Sequence, residues 1–238
     1  MSNDALPVDG TFNFRDLGGL RAGDRRTRSG ALYRADSLAK LGATGQAQLQ
    51  DLGVTRVIDL RDDRERATNP DALPAGVELI AHPIFPSASA HIDRNITIFS
   101  LTELIYREHA AALAAGITLL ADGTPTVFHC TAGKDRTGAI AALTLLALGV
   151  DRDDVLDNYA ASELNLRGQW MTDQLSWLQR RGVTLTPEVS DLVGASPAAA
   201  LDRALTQVVE AQGGVHDYLR AHGVTDATLT TLEQRLTQ

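Results

Sequence analysis

By type, the strongest nucleophile in this 238-residue sequence is its single cysteine, Cys130, set in the stretch His129-Cys-Thr-Ala-Gly-Lys-Asp-Arg-Thr-Gly138. Arg136 follows it after five intervening residues, and Thr137 comes directly after the arginine. This spacing suits a phosphate. A loop between a strand end and a helix start can curl until its backbone N–H groups point inward, and the dipole of the helix adds positive potential. An arginine at the loop's end can grip two oxygens in a bidentate fork that lysine cannot form. A thiol at its start lies beneath the phosphorus, where the same field favours the nucleophilic thiolate. A small core cysteine near a turn is the bland alternative. The flanking His129, the internal Gly133 and the strand–loop–helix setting argue against it.

The elements on either side must hold that loop. Thr126-Val-Phe-His129 reads as a strand, with Pro125 at its entrance, where no ladder donor is needed. Residues 138–149 read as a helix apolar nearly all round, hence buried. Earlier strands are expected at 31–34, 54–60 and 77–81, the second rich in β-branched residues. A helix starts with Thr44 as its N-cap and ends near Gly53. Leu101, Leu104, Ile105, Ala112, Leu113 and Leu120 share one helical face, which predicts a long amphipathic helix over 98–121, ended by Gly123. Strands alternating with helices predict an α/β fold, a central mostly parallel sheet covered on both faces. From Asp151, taken as a cap, the chain turns helical: 165–181, a helix opened by Ser196-Pro197, then 215–221 and 225–236. No linker-like stretch divides it, so residues 1–238 read as a single domain with a helical C-terminal half.

Bulk properties narrow the function. Hydrophobic residues make up 44% of the chain, enough for a sizeable core. The formal charge of -8 argues against nucleic acid as the main partner. No apolar run is long enough to span a bilayer and no N-terminal signal pattern is visible, so a cytoplasmic protein is expected, with signal-less secretion left open. One cysteine forms no internal disulfide and no cysteine-built zinc site. His82, His91 and His109 do not fall at metal-ligand spacing, and neither metal nor cofactor is expected.

The stretch 129–138 resembles the signature of the cysteine-dependent phosphatases, His-Cys-five residues-Arg-Ser/Thr. Its Gly133-Lys-Asp-Arg-Thr137 resembles in particular the atypical bacterial tyrosine/lipid phosphatases related to the secreted mycobacterial tyrosine phosphatase B. Thr11-Phe-Asn-Phe-Arg-Asp-Leu-Gly-Gly19, Leu32-Tyr-Arg-Ala-Asp-Ser37, Ile58-Asp-Leu-Arg61 and Asp157-Asn-Tyr-Ala-Ala-Ser162 are similar to further blocks of that family. The resemblance implies a tyrosine-phosphatase-like fold acting on phosphorylated protein or phosphoinositide. Cys130 then attacks phosphorus to form a phosphocysteine, and Arg136 binds the equatorial oxygens. Amides from Thr131 through Ala132, Gly133, Lys134 and Asp135 to Arg136 line the cradle for phosphate or another oxyanion. Thr137 bonds the sulfur, and His129 supports the loop.

The leaving oxygen needs a proton. Within this group Asp135 is the attractive acid, with a structural partner of Lys134 or Arg136 as its alternative. Asp16, Asp62 and Asp63 are rivals, and no acid occurs after His82 until Asp93. Lys134, one of only two lysines, either selects a second phosphate or shapes the loop through Asp135. Arg61, at a strand's C-terminal end, could face the pocket from the charge run 61–66, itself read as a solvated helix start. Trp170 and Trp177 are read as core or groove packing, and 85–98 as a stretch that could form part of a lid. The expected activity is protein-tyrosine phosphatase with dual-specificity or phosphoinositide activity. Phosphoinositide hydrolysis as the main activity, a thiol-dependent arsenate reductase and a silent phospho-ligand binder are the alternatives.

Overall fold

The structure is a computed structural model, and it describes residues 5–85, 96–121 and 125–238. Asp93, His91, Gly123 and most of the stretch 85–98 lie outside the described residues.

The architecture is built on four short parallel strands, two of them buried at every residue and one exposed along most of its length. Strands β4 (Leu32–Ala35), β5 (Arg56–Asp59), β6 (Glu78–Ala81) and β7 (Thr126–His129) run parallel, and β1 (Arg15–Asp16) adds an antiparallel edge, giving the order β1-β4-β7-β5-β6. A separate hairpin pairs β2 (Arg21–Ala22) with β3 (Arg25–Arg26). Successive side chains point to opposite faces, so Tyr33, Val57 and Val127 pack with Leu49 of α1 (Ala43–Asp51). Ile58 and Phe128 enter the larger core on the other face, which reaches from Leu17 to Leu236.

The helices α3 (Ile98–Glu108), α4 (Ala110–Leu120), α5 (Asp135–Ala147), α6 (Arg152–Leu166) and α9 (Ala198–Ala204) build that second face. The remaining helices are α2 (Asp63–Thr68), α7 (Gln169–Arg180), α8 (Pro187–Gly194), α10 (Val215–Ala221) and α11 (Asp226–Leu236). This is the mostly parallel α/β sheet that the strand and helix periods predict.

Several boundaries differ from the sequence reading. The helix expected over 98–121 is two, broken at His109 (φ -117°, ψ 20°). One buried face runs across the break, through Thr102 and Tyr106 before it and Ala110, Leu113 and Ile117 after it. Helix α1 is capped by Gly42 rather than Thr44. The segment 165–181 divides at Gly168, whose φ of 82° ends α6 and starts α7. Helix α8, capped by the Thr186 hydroxyl with Pro187 in its first turn, carries valid start signals that the reading passed over.

Register explains why the site forms where it does. Ala35 pairs with His129, and His129 with Asp59. The segments leaving β4, β5 and β7 therefore emerge side by side at the C-terminal edge of the sheet, where open α/β sheets place their sites.

Candidate active site

The loop 130–134 leaves β7, the central strand, and runs directly into α5. Its carbonyls are held on its outer side. His129 Nδ1 lies 3.1 Å from the Cys130 carbonyl. The Ser37 amide donates to the Thr131 carbonyl at 3.1 Å. Asn13 Nδ2 donates to the Ala132 and Gly133 carbonyls at 3.0 and 3.1 Å, and Arg34 Nη2 donates to the Gly133 carbonyl at 2.7 Å. In a trans peptide C=O and N–H point in opposite directions. Carbonyls fastened outward thus turn the amides of Thr131, Ala132, Gly133 and Lys134 inward. The first amides of α5, those of Asp135 and Arg136, have no intrahelical acceptor and extend the same concave surface. Gly133 has φ 66°, and a Cβ there would lie 2.4 Å from the Ala35 carbonyl oxygen, so the loop passes too close to β4 for any side chain at that position.

An outer ring of side chains secures these fasteners. Buried Asp36 accepts from the Phe12 and Asn13 amides at 3.0 and 2.9 Å, which fixes Asn13 against the loop. Burial pushes its carboxyl up to about 6, against the pull of those amides and of nearby His129. His129 Nε2 lies 3.0 Å from Asp71 Oδ2, and Arg61 bridges Asp71 and Asp59 at 2.8 and 2.7 Å. Burial raises the Asp71 carboxyl, but His129 and Arg61 outweigh it and leave the group below its ordinary range. Asp59, Asp71 and His129 could together reach one metal ion, but Arg61 already pairs with both carboxylates.

Arg61 therefore stands behind the loop as a brace and does not line the pocket. Asp59 and Asp71, which sequence reasoning missed, are its partners; the hint was a His and an Arg placed at paired strand ends.

The inner surface opens into a pocket of about 460 Å³, counting its mouth. Cys130, Thr131, Ala132, Asp135 and Arg136 form its floor. Trp170, Gln174, Trp177 and Leu178 of α7 and Val193 of α8 form its wall. The two tryptophans thus belong to the pocket, with Trp170 buried and Trp177 partly exposed under the Arg181 guanidinium, 4.0 Å from its ring centroid. Seven-residue spacing puts both on one face of α7.

Glu65 is the other residue missed. The run 61–66 is not simply solvated: Asp62 caps α2, and Glu65 completes a capping box while reaching into the site. Its carboxylate takes a bidentate pair from Arg136 at 2.6 and 2.9 Å and accepts from the Thr131 hydroxyl. Arg136 also donates to the Phe85 carbonyl at 3.0 Å, with its guanidinium 5.6 Å from that ring. Burial raises Glu65, yet Arg136 and Thr131 hold it below the usual carboxylate range. Burial likewise opposes the Arg136 charge, and Glu65 and Cys130 more than restore it.

The other candidates divide. Asp135 faces the pocket, and its Oδ1 lies 3.1 Å from Lys134 Nζ at an angle outside hydrogen-bonding geometry. Lys134 does not stand at the rim. Its ammonium is buried against the Leu192 and Ala195 carbonyls at 3.1 and 2.9 Å, at the electronegative end of α8. The Thr137 hydroxyl is buried without a hydrogen-bond partner among the described residues. Asp16 lies elsewhere, accepting from the Gly18 and Gly30 amides at 2.8 Å each. Asp62 is spent on capping, and Asp63 is exposed beside Arg66.

Comparison with known proteins decides the family. The model of the tyrosine phosphatase family matches residues 6–238. The chain belongs to that family. This tyrosine phosphatase is 34% identical over 231 residues to a Cupriavidus necator protein named as a tyrosine-protein phosphatase, covering 90% of this chain and 82% of the relative. It is 31% identical over 276 residues to the triple specificity protein phosphatase PtpB of Mycobacterium tuberculosis, covering 94% and 96% of the two chains. The crystal structure of Pseudomonas aeruginosa TpbA aligns at 22% identity and a TM-score of 0.38, over 75% of this phosphatase and 90% of that chain. No helix of this phosphatase is long and apolar enough to cross a membrane among the described residues.

Proposed function

We propose that this enzyme hydrolyses phosphotyrosine through a phosphocysteine on Cys130. The observation that carries the reading is the loop whose carbonyls are all fastened outward beneath a pocket floored by Cys130 and Arg136. A phosphate dianion seated there accepts from the inward amides and Arg136. The Cys130 thiolate attacks phosphorus, and Asp135, at the start of α5 and facing the pocket, gives its proton to the leaving phenolate oxygen. Water then cleaves the phosphocysteine, with Thr137 a donor within the buried shell. The tryptophans of α7 offer the flat apolar wall that an aromatic phosphoester fills. Residues 1–238 act as one domain in this reading, since the large core joins the first strands to the last helix. A reducing compartment such as the cytoplasm suits a reactive lone thiol.

Activity on phosphoserine, phosphothreonine or phosphoinositides is the second reading. It draws on the triple specificity named for PtpB, not on Lys134, whose ammonium is engaged behind the loop.

The test is turnover of phosphotyrosine, phosphoserine and phosphoinositide substrates by wild type, Cys130→Ser and Asp135→Asn. We expect no turnover by Cys130→Ser. For Asp135→Asn the loss should be large with a phenolic leaving group of high pKa and small with para-nitrophenyl phosphate, whose nitrophenolate leaves without help. Activity retained by Cys130→Ser defeats the reading.

A further inference from the structure

Two of the most deeply buried side chains in the molecule are arginines without a carboxylate. Arg34 of β4 is 0% exposed and Arg15 of β1 is 1% exposed. Their acceptors are all neutral. Arg34 donates to the Gly133 carbonyl at 2.7 Å and Asn158 Oδ1 at 2.8 Å; Arg15 donates to the Asn158 carbonyl at 2.7 Å and Ser162 Oγ at 2.8 Å. Arg34 also reaches Ser162 Oγ, at 3.3 Å, so the two guanidinium groups share one hydroxyl. The Nε of each is buried without an acceptor, and neither forms an ion pair among the described residues. A buried charge left unpaired is expensive, and two of like sign side by side are more so.

The other cations around the loop each meet a carboxylate. Arg136 is matched by Glu65 from α2, Lys134 by Asp135, and Arg61 by Asp59 and Asp71, the last also meeting His129 of β7. Asp36, after β4, is held by backbone amides. Arg15 and Arg34 are the two cations here that meet no carboxylate among the described residues, Arg34 directly behind Gly133 and Arg15 beside it through Asn158 and Ser162.

We propose that Arg15 and Arg34 form a buried pair of positive charges that polarises the loop from behind, favouring Cys130 as thiolate and strengthening the hold on a phosphate dianion. Both are positioning residues, since neither touches the substrate. Burial pushes Arg34 down to about 10, and burial together with Arg34 holds Arg15 well below its ordinary range; a guanidinium, with its very high intrinsic basicity, stays charged at neutral pH even so. Cys130 leads the charges that hold Arg34 up, followed by Tyr159, Tyr106 and Asp135. Burial raises both of those phenols and keeps them neutral, so Arg34 faces the sulfur of Cys130 as its foremost partner. Attraction is mutual: a thiolate that keeps Arg34 charged is itself favoured by Arg34.

The inference rests on Cys130 as nucleophile, and its test needs no turnover. With one cysteine in the chain, iodoacetamide alkylation of the intact protein reads Cys130 alone, and its rate is followed against pH beside inhibition by inorganic phosphate. Arg34→Met should move the alkylation profile to higher pH and slow it about tenfold on the acidic side. Arg15→Met, which leaves every bond to the loop in place, should slow it about threefold and weaken phosphate inhibition to match. Arg34→Lys keeps the charge and should stay within about twofold of wild type. Where a methionine variant does not fold, by circular dichroism, glutamine at the same position replaces it. A folded neutral Arg15 variant with an unchanged profile, or Arg34→Lys as slow as the neutral Arg34 variant, overturns the proposal. Either result leaves the phosphatase reading standing. Turnover by Cys130→Ser would end that reading whatever the alkylation shows.

Discussion

Single residues around the loop act through the backbone they restrain. Glu65 joins three of them, its own cap, Thr131 and Arg136. Because its carboxyl is held below the ordinary range, its contribution is fully present above the unfolded-state value, about 4.3, and is lost only as pH falls through the lower folded value. At neutral pH, Glu65→Ala should therefore lower kcat/KM about tenfold or more by freeing Arg136, with Glu65→Gln intermediate; steady-state kinetics on para-nitrophenyl phosphate checks this. Asp36 behaves in the opposite sense. Its folded value of about 6 exceeds the unfolded one, so between those values the native state binds more protons and stability falls as pH rises. Above about pH 6 that loss is complete, amounting to about 2–3 kcal/mol. Asp36→Asn cannot titrate. Urea unfolding should therefore find the asparagine variant less disadvantaged against wild type at pH 7 than near pH 4; an equal difference at both would contradict the assignment.

At the scale of elements, the loop's geometry is set by how closely β4 and β7 approach. Gly133→Ala should destabilise by more than about 1–2 kcal/mol, the left-handed backbone alone accounting for that much before the contact with Ala35, and should lose turnover. Helix α7 supplies the pocket's aromatic wall, so Trp177→Ala should raise KM for a phosphotyrosine peptide about threefold to tenfold while leaving inhibition by inorganic phosphate unchanged. A matched rise in both would mean that Trp177 shapes the loop instead.

The strand β7 and the helix after it were legible in the sequence because β-branched and apolar periods there agree with burial on every side. The break at His109 was not, since the buried face keeps helical spacing across it, from Tyr106 to Ala110 and Leu113. Glu65 escaped notice for a similar reason: a charge run looks solvated until the sheet register brings β5's exit beside β7's. Lys134 shows the converse limit. Its type suggested an anion, but only the position of α8 reveals the carbonyls that hold it.

Across the whole molecule, an acidic chain of net charge -8 keeps its positive field inside, in the loop amides, Arg136 and the two arginines behind them. Its single thiol has no internal partner for a protective disulfide. Peroxide should inactivate the enzyme, and added thiol should restore activity only when supplied early, before the sulfur passes beyond sulfenic acid. Activity assays after timed oxidation read this directly, and full recovery after prolonged exposure would contradict it. The central claim is a covalent bond between Cys130 and phosphorus. Rapid acid quench of a single turnover with a phosphotyrosine peptide, followed by peptide mass spectrometry, should find phosphate on the fragment carrying Cys130 in wild type and none in Cys130→Ser. Phosphate on another residue, or turnover by Cys130→Ser with no trapped intermediate, would contradict the account.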